Sequence, residues 1–249
     1  MPLVGHLTEL RRRLTYVAIA LVVCCIGTFI EKKYVFEVLM HPLQSTPYAN
    51  QKLLAFSATE PFMAILKISV YAGLLITLPF ILWQFWAFIM PALYENEKKG
   101  IFPYVALSTG LFLGGVVFGY FVVLPIGLKW LLKFSAGQFT VMLHVDPYIS
   151  FITLFLLAFG AVFELPLIMM LMAWAGIADY KKMRKVRKYA VLVEAVVAMV
   201  ITPSQDPISM MLMLVPLVIL YEFGIWLARI AATRKARRRE LALLSESDD

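Results

Sequence analysis

Charge is scarce in this chain, and cysteine scarcer. Only 16% of its residues are Asp, Glu, Lys or Arg, and 61% are hydrophobic, a balance that a soluble globular domain does not show. Its two cysteines, Cys24 and Cys25, are adjacent inside an apolar run. Neighbours on a helix point in different directions, so a disulfide between them and a disulfide-stapled fold are both excluded. The three histidines, His6, His41 and His144, have no metal-ligand spacing. No HExxH, GxSxG, pair of intramembrane aspartates or glycine-rich phosphate loop occurs, which argues against an enzyme and against any nucleotide site in this chain. No internal repeat of the transporter kind is visible. Met1 to Thr8 lacks the basic stretch of a secretory leader, and no small-residue cleavage site follows.

What remains is membrane sequence. Six apolar segments are read as transmembrane helices over residues 14–30, 62–90, 102–124, 149–174, 189–201 and 208–227. The fold class is all-α and polytopic, because backbone groups in lipid must bond within their own segment. The net charge of +7 is concentrated in blocks between these segments, the pattern of a positive-inside membrane protein and not of a nucleic-acid binder. Arg11, Arg12 and Arg13 precede the first segment, Lys98 and Lys99 follow the second, and Lys181 to Lys188 separate the fourth from the fifth. A further basic block follows the sixth, so both termini are placed in the cytoplasm. Residues 1–230 read as one six-helix domain, and 231–249 as a disordered tail, basic and then acidic.

Segment lengths are uneven. At ~1.5 Å per residue, ~20 residues cross the hydrocarbon core. The fifth segment is too short for this, and the last two read as a short hairpin or as a region where the bilayer thins. The second is too long, and Pro79 within it lacks the N–H that a helix interior needs. The outer loop from Glu31 to Pro61 contains Pro42 and Pro47 and is read as a structured cap.

The second segment ends in PFILWQFWAFIMPALYENEKK, residues 79–99, where an aromatic apolar run gives way to Glu95 and Glu97 beside Lys98 and Lys99. Paired carboxylates beyond an aromatic girdle suit a cationic partner. Glu9 lies in HLTELRRRL just before the first segment, where it either pairs with Arg13 one helical turn away or holds a guest cation. Acids in or near apolar segments are functional candidates because burying charge in lipid is costly. These are Glu164, Glu194, Asp206 and Glu222. Glu164 is read either as a polar spot on a water-reachable face or as a carboxyl bonding a neighbouring helix. Pro166 beyond it frees the carbonyl of Val162. Glu194 either pairs with Lys188 or faces the bundle interior, and Glu222 is read as interfacial. Lys67, the one basic residue deep in an apolar segment, is read as snorkelling outward.

Four blocks in order carry a resemblance: HLTELRRRL at 6–14, PFILWQFWAFIMPALYENEKK at 79–99, AFGAVFELP at 158–166, and ITPSQDP at 201–207 followed by VPLVILYEFGIWLAR at 215–229. Together they resemble the TatC family, the multi-spanning receptor subunit of the Sec-independent twin-arginine protein translocase. The resemblance implies recognition of twin-arginine signal peptides by Glu9 and Glu97, with Phe88 and Leu93 nearby. It implies roles for Glu164, Gln84, Asp206, Pro42 and Pro79, and transport of folded proteins driven by the proton-motive force. It implies no cofactor. The implied partners are TatA- and TatB-type single-span subunits and further copies of the chain, in the bacterial cytoplasmic (inner) membrane. Glu95 and Glu194 depart from the family pattern. The alternative is a small-solute or ion transporter using Glu164 and Glu194.

Overall fold

With no water to satisfy their backbone groups, the apolar segments have helix as their only economical form. The computed structural model, which describes residues 3–44, 46, 53–93, 101–135, 142–202 and 207–247, is built almost wholly of helices. They are α1 (Leu3–Ile30), α2 (Lys32–Gln44), α3 (Glu60–Leu93), α4 (Ile101–Phe118), α5 (Leu124–Ser135), α6 (Val145–Phe163), α7 (Leu165–Ala175), α8 (Tyr180–Lys185), α9 (Arg187–Ile201) and α10 (Pro207–Ser247). Five stretches among the described residues are long and apolar enough to cross a membrane: Leu7–Ile30, Glu60–Phe88, Phe102–Lys133, Val145–Ala175 and Met210–Thr233. The fifth sequence segment falls in α9, whose 15 residues span ~22 Å, in keeping with its short reading.

Several boundaries differ from the sequence reading. The HLTELRRRL block, just before the first segment in the sequence, belongs to α1 itself. The helix holding the second segment runs 34 residues, Glu60–Leu93, or ~51 Å. The last helix is longer than 208–227: its apolar part reaches Thr233, and the helix continues to Ser247, through the tail expected to be disordered. The chain groups into two compact units, Met1–Gly160 and Ala161–Asp249.

The first unit is organised by the antiparallel pair α1 and α3. They meet at small residues and local hydroxyls. Gly73 sits against Cys25, and the Thr28 hydroxyl donates to the Ser69 carbonyl at 2.7 Å. Thr28, Ser69 and Thr77 are buried, and the last two satisfy their hydroxyls one turn back on the Ile65 and Gly73 carbonyls. The long outer loop does contain a cap, α2, in which Pro42 is buried with Leu39 and Leu43. Tyr120 and Tyr148 donate to the α2 carbonyls of Val38 and Leu39 and fasten it. Between α4 and α5 the helix widens into a π turn at Gly119–Val123, closed by the Leu124 N–H on the Gly119 carbonyl. Pro125 follows and has no N–H to continue the ordinary ladder. Gly119 is also where the Phe159 ring of α6 approaches closely. An open apolar cavity of about 470 Å³ lies under α2, lined by Tyr34, Leu39, Tyr71, Leu75, Tyr120 and Leu156 among others.

In the second unit α7 and α9 pack on α10. Met169, Ala173, Met183, Ile225 and Ala228 form its buried core. Gly176 ends α7 in the left-handed conformation, φ 83°, which lets the chain turn back toward α8. The Asp179 side chain then caps α8 by accepting from the Lys181 N–H. Tyr221 of α10 donates to the Met183 carbonyl and anchors that turn.

Candidate functional site

Glu9 and Arg13 stand one turn apart on α1, and the helix geometry brings them together as the sequence spacing predicts. The Arg13 Nε and Nη2 both donate to Glu9 Oε1, at 3.0 and 2.6 Å. The third nitrogen, Nη1, reaches across to α3 and donates to Gln84 Oε1 at 3.0 Å. One guanidinium therefore links the conspicuous acid of α1 to the conspicuous amide of α3. The pair is partly exposed: the Arg13 side chain retains 22% of its accessible surface and the Glu9 side chain 30%. Only the resemblance points to Gln84, and spacing across 71 positions does not reveal its bond to Arg13.

The α1–α3 contacts keep a constant antiparallel register. Thr28 meets Ser69, Cys25 meets Gly73, and Arg13 meets Gln84. Continuing that register one turn places Glu9 level with Phe88, which is half-buried. Trp86, beside it on α3, is buried against Phe85 and Tyr104. Beyond Phe88 the helix runs on to Leu93. Glu95 and Glu97 lie outside the described residues, as does Asp206.

Glu164 occupies the junction between α6 and α7. Pro166 has no N–H to donate to the Val162 carbonyl, and the helix breaks there. The Glu164 N–H turns instead to Ala161, and its carbonyl accepts from Ile168 at 3.0 Å. The residue is buried, at 8% exposure, in the second unit. Gly224 of α10 passes directly over this start of α7. A Cβ there would lie 2.5 Å from Met169 Sδ and 3.2 Å from Pro166 Cα. Pro79 sits inside α3, one turn before the Trp83–Gln84 pair, and Pro42 inside the cap.

Three polar groups acquire definite surroundings in the structure. The Lys67 Nζ donates to Asp146 Oδ1 at 2.5 Å and to Ser150 Oγ at 3.1 Å, tying the start of α3 to the start of α6. Glu222 is paired with Arg187, Nη2 to Oε2 at 2.6 Å. Glu194 is buried and does not pair with Lys188, whose Nζ lies over the Tyr189 ring. Neither Glu194 carboxyl oxygen has a hydrogen-bond partner among the described residues. Among the described residues no group of His, Cys, Asp and Glu is arranged to hold a metal ion.

Long apolar helices, an acid and an arginine presented at the end of a tight helix pair, and a glutamate at a buried helix break define a polytopic helical membrane protein. Known proteins specify it further. The family described as Sec-independent protein translocase protein (TatC) matches residues 5–216. The Sec-independent protein translocase protein TatC of Aquifex aeolicus is 40% identical over 237 residues, 94% of this chain and 98% of that one. That of Carboxydothermus hydrogenoformans is 39% identical, over 92% of this chain and 93% of its own. The crystal structure of the twin arginine translocase receptor TatC superposes with a TM-score of 0.82 at 40% identity, covering 91% of this chain and 99% of that one. This chain belongs to the TatC family. It is a membrane component of the Sec-independent, twin-arginine protein translocase and not an enzyme, and the small-solute transporter alternative is not supported.

Proposed function

We propose that this subunit is the receptor for twin-arginine signal peptides, with Glu9 and Glu97 as the two acids that hold the arginine pair. The observation that carries the reading is the bond between Glu9 and Arg13. The Glu9 carboxylate already sits where a guanidinium can donate two hydrogen bonds to it, at 2.6 and 3.0 Å, and it is still partly exposed. Arginine offers a planar fork that lysine cannot reproduce, and a carboxylate is its natural acceptor. Phe88, level with Glu9, supplies apolar surface for the residues flanking the arginines, and the family resemblance adds Leu93 to the same role. Each exposed ion pair contributes about 1 kcal/mol or less, so recognition needs both acids together with docking of the apolar part of the signal.

The wider assignment follows the family. The subunit works in the bacterial cytoplasmic membrane with TatA- and TatB-type single-span partners and with further copies of itself. It passes folded cargo at the expense of the proton-motive force. Glu164, Pro42, Pro79 and Asp206 serve the path and its packing and not the first recognition step. The test is crosslinking of an arginine-pair signal peptide to the protein in membranes, in the wild type and in Glu9→Ala/Glu97→Ala. Crosslinking falls to background in the double variant; unchanged crosslinking removes recognition from these sites.

A further inference from the structure

The bond that supports Glu9 as a receptor group also raises a difficulty: the position is occupied by the chain's own arginine. Arg13 uses all three guanidinium nitrogens, two on Glu9 Oε1 and one on Gln84 Oε1. Among the described residues, Glu9 Oε2 accepts no hydrogen bond. A guest arginine therefore has an oxygen on which to begin, yet it completes a two-oxygen fork only when Arg13 leaves Oε1. Gln84 is on the neighbouring helix and holds the third nitrogen, so Arg13 has a place to remain after letting go of Glu9.

We propose that Arg13 is an internal stand-in for the signal arginine, a specificity-setting residue that competes for Glu9 and is displaced onto Gln84 when a signal binds. This rests on the reading of Glu9 as a recognition acid. It gives the site a threshold. A single lysine or an isolated weak cation gains too little from Glu9 to displace a fork that is already in place, whereas an arginine replaces like with like and brings a second arginine for the other acid. It also keeps a carboxylate at the membrane surface neutralised while no signal is present. A merely structural Arg13 would do the reverse: it would hold Glu9 in position, and its removal would weaken binding.

The experiment uses the full chain in lipid nanodiscs and a fluorescent synthetic peptide with paired arginines and an apolar segment, with affinity read by anisotropy. Arg13→Gln removes the competitor and leaves Arg11 and Arg12 to maintain orientation. It binds the peptide about two- to fivefold tighter than wild type, the range of a partly exposed ion pair. Arg13→Lys keeps the charge but loses the fork, and falls between the two. Glu9→Gln binds more weakly than wild type. Equal or weaker binding by Arg13→Gln, alongside a weakened Glu9→Gln, overturns the competitor role and leaves Glu9 as receptor. Rescue by Arg13→Lys of a loss in Arg13→Gln assigns Arg13 to positioning. Unchanged binding by Glu9→Gln removes both the receptor reading at Glu9 and the competitor with it. Should Arg13→Gln fail to insert, Arg13→Lys decides: tighter than wild type supports competition, equal or weaker overturns it.

Discussion

Gly73 of α3 lies against the backbone of Cys25 of α1. A Cβ built on it would be 2.7 Å from Cys25 Sγ and 2.9 Å from both the Cα and the N of Cys25. No side-chain rotation relieves contacts of that kind, because two of the three atoms are backbone. The glycine thus sets the distance at which α1 and α3 run, and through their register it sets where Arg13 meets Gln84 and where Glu9 stands. Small residues do this work in lipid, where close backbone approach replaces the hydrophobic drive between helices.

Gly73→Ala is expected to destabilise the protein by about 1–3 kcal/mol, the cost of overpacking a tight contact. Thermal unfolding in detergent measures it. The double variant Gly73→Ala/Cys25→Ala removes only the sulfur, so it does not recover wild-type stability. Full recovery would show that the thiol, and not the backbone, sets the spacing.

The Lys67–Asp146 pair makes a different prediction. Its side chains retain 39% and 34% of their accessible surface, so the pair is screened and contributes about 1 kcal/mol or less. Lys67→Met and Asp146→Asn each lower the melting temperature modestly. The exchange Lys67→Asp/Asp146→Lys recovers most of the loss if the two interact directly. Additive losses in the exchange would show that each acts through other groups.

Much of this architecture is legible in the sequence because lipid leaves few alternatives. A run of apolar residues must be a helix, and its length decides whether it crosses, which is why the shortness of α9 follows from counting. Pro166 announces the break at Glu164, since a missing N–H is a covalent fact. The i,i+4 pairing of Glu9 with Arg13 is equally local. What escapes the sequence is tertiary. Nothing near Lys67 indicates Asp146, 79 positions away. Gln84 as the partner of Arg13 depends on a helix register that Gly73 and Cys25 set. The continuation of α10 to Ser247 runs against its charged composition, which on its own argues for disorder.

Glu194 is 6% exposed, and neither oxygen has a hydrogen-bond partner among the described residues. A buried polar group without partners costs stability. Glu194→Leu is therefore expected to melt at or above the wild-type temperature, and Glu194→Gln close to it. A loss of more than ~2 kcal/mol in Glu194→Leu would mean that the carboxyl is satisfied by a group beyond those described, and it would return Glu194 to the list of functional acids.

The most direct measurement maps where the arginine pair of a signal peptide rests. A peptide with a short photocrosslinker beside its two arginines is bound to the full protein in membranes and activated, and the labelled fragments are identified. Labelling is predicted on the fragment of α1 that holds Glu9 and on the stretch of α3 from Phe88 onward, and it disappears in Glu9→Ala/Glu97→Ala. Labelling concentrated instead around Glu164, or retained in the double variant, would contradict recognition at the α1–α3 end.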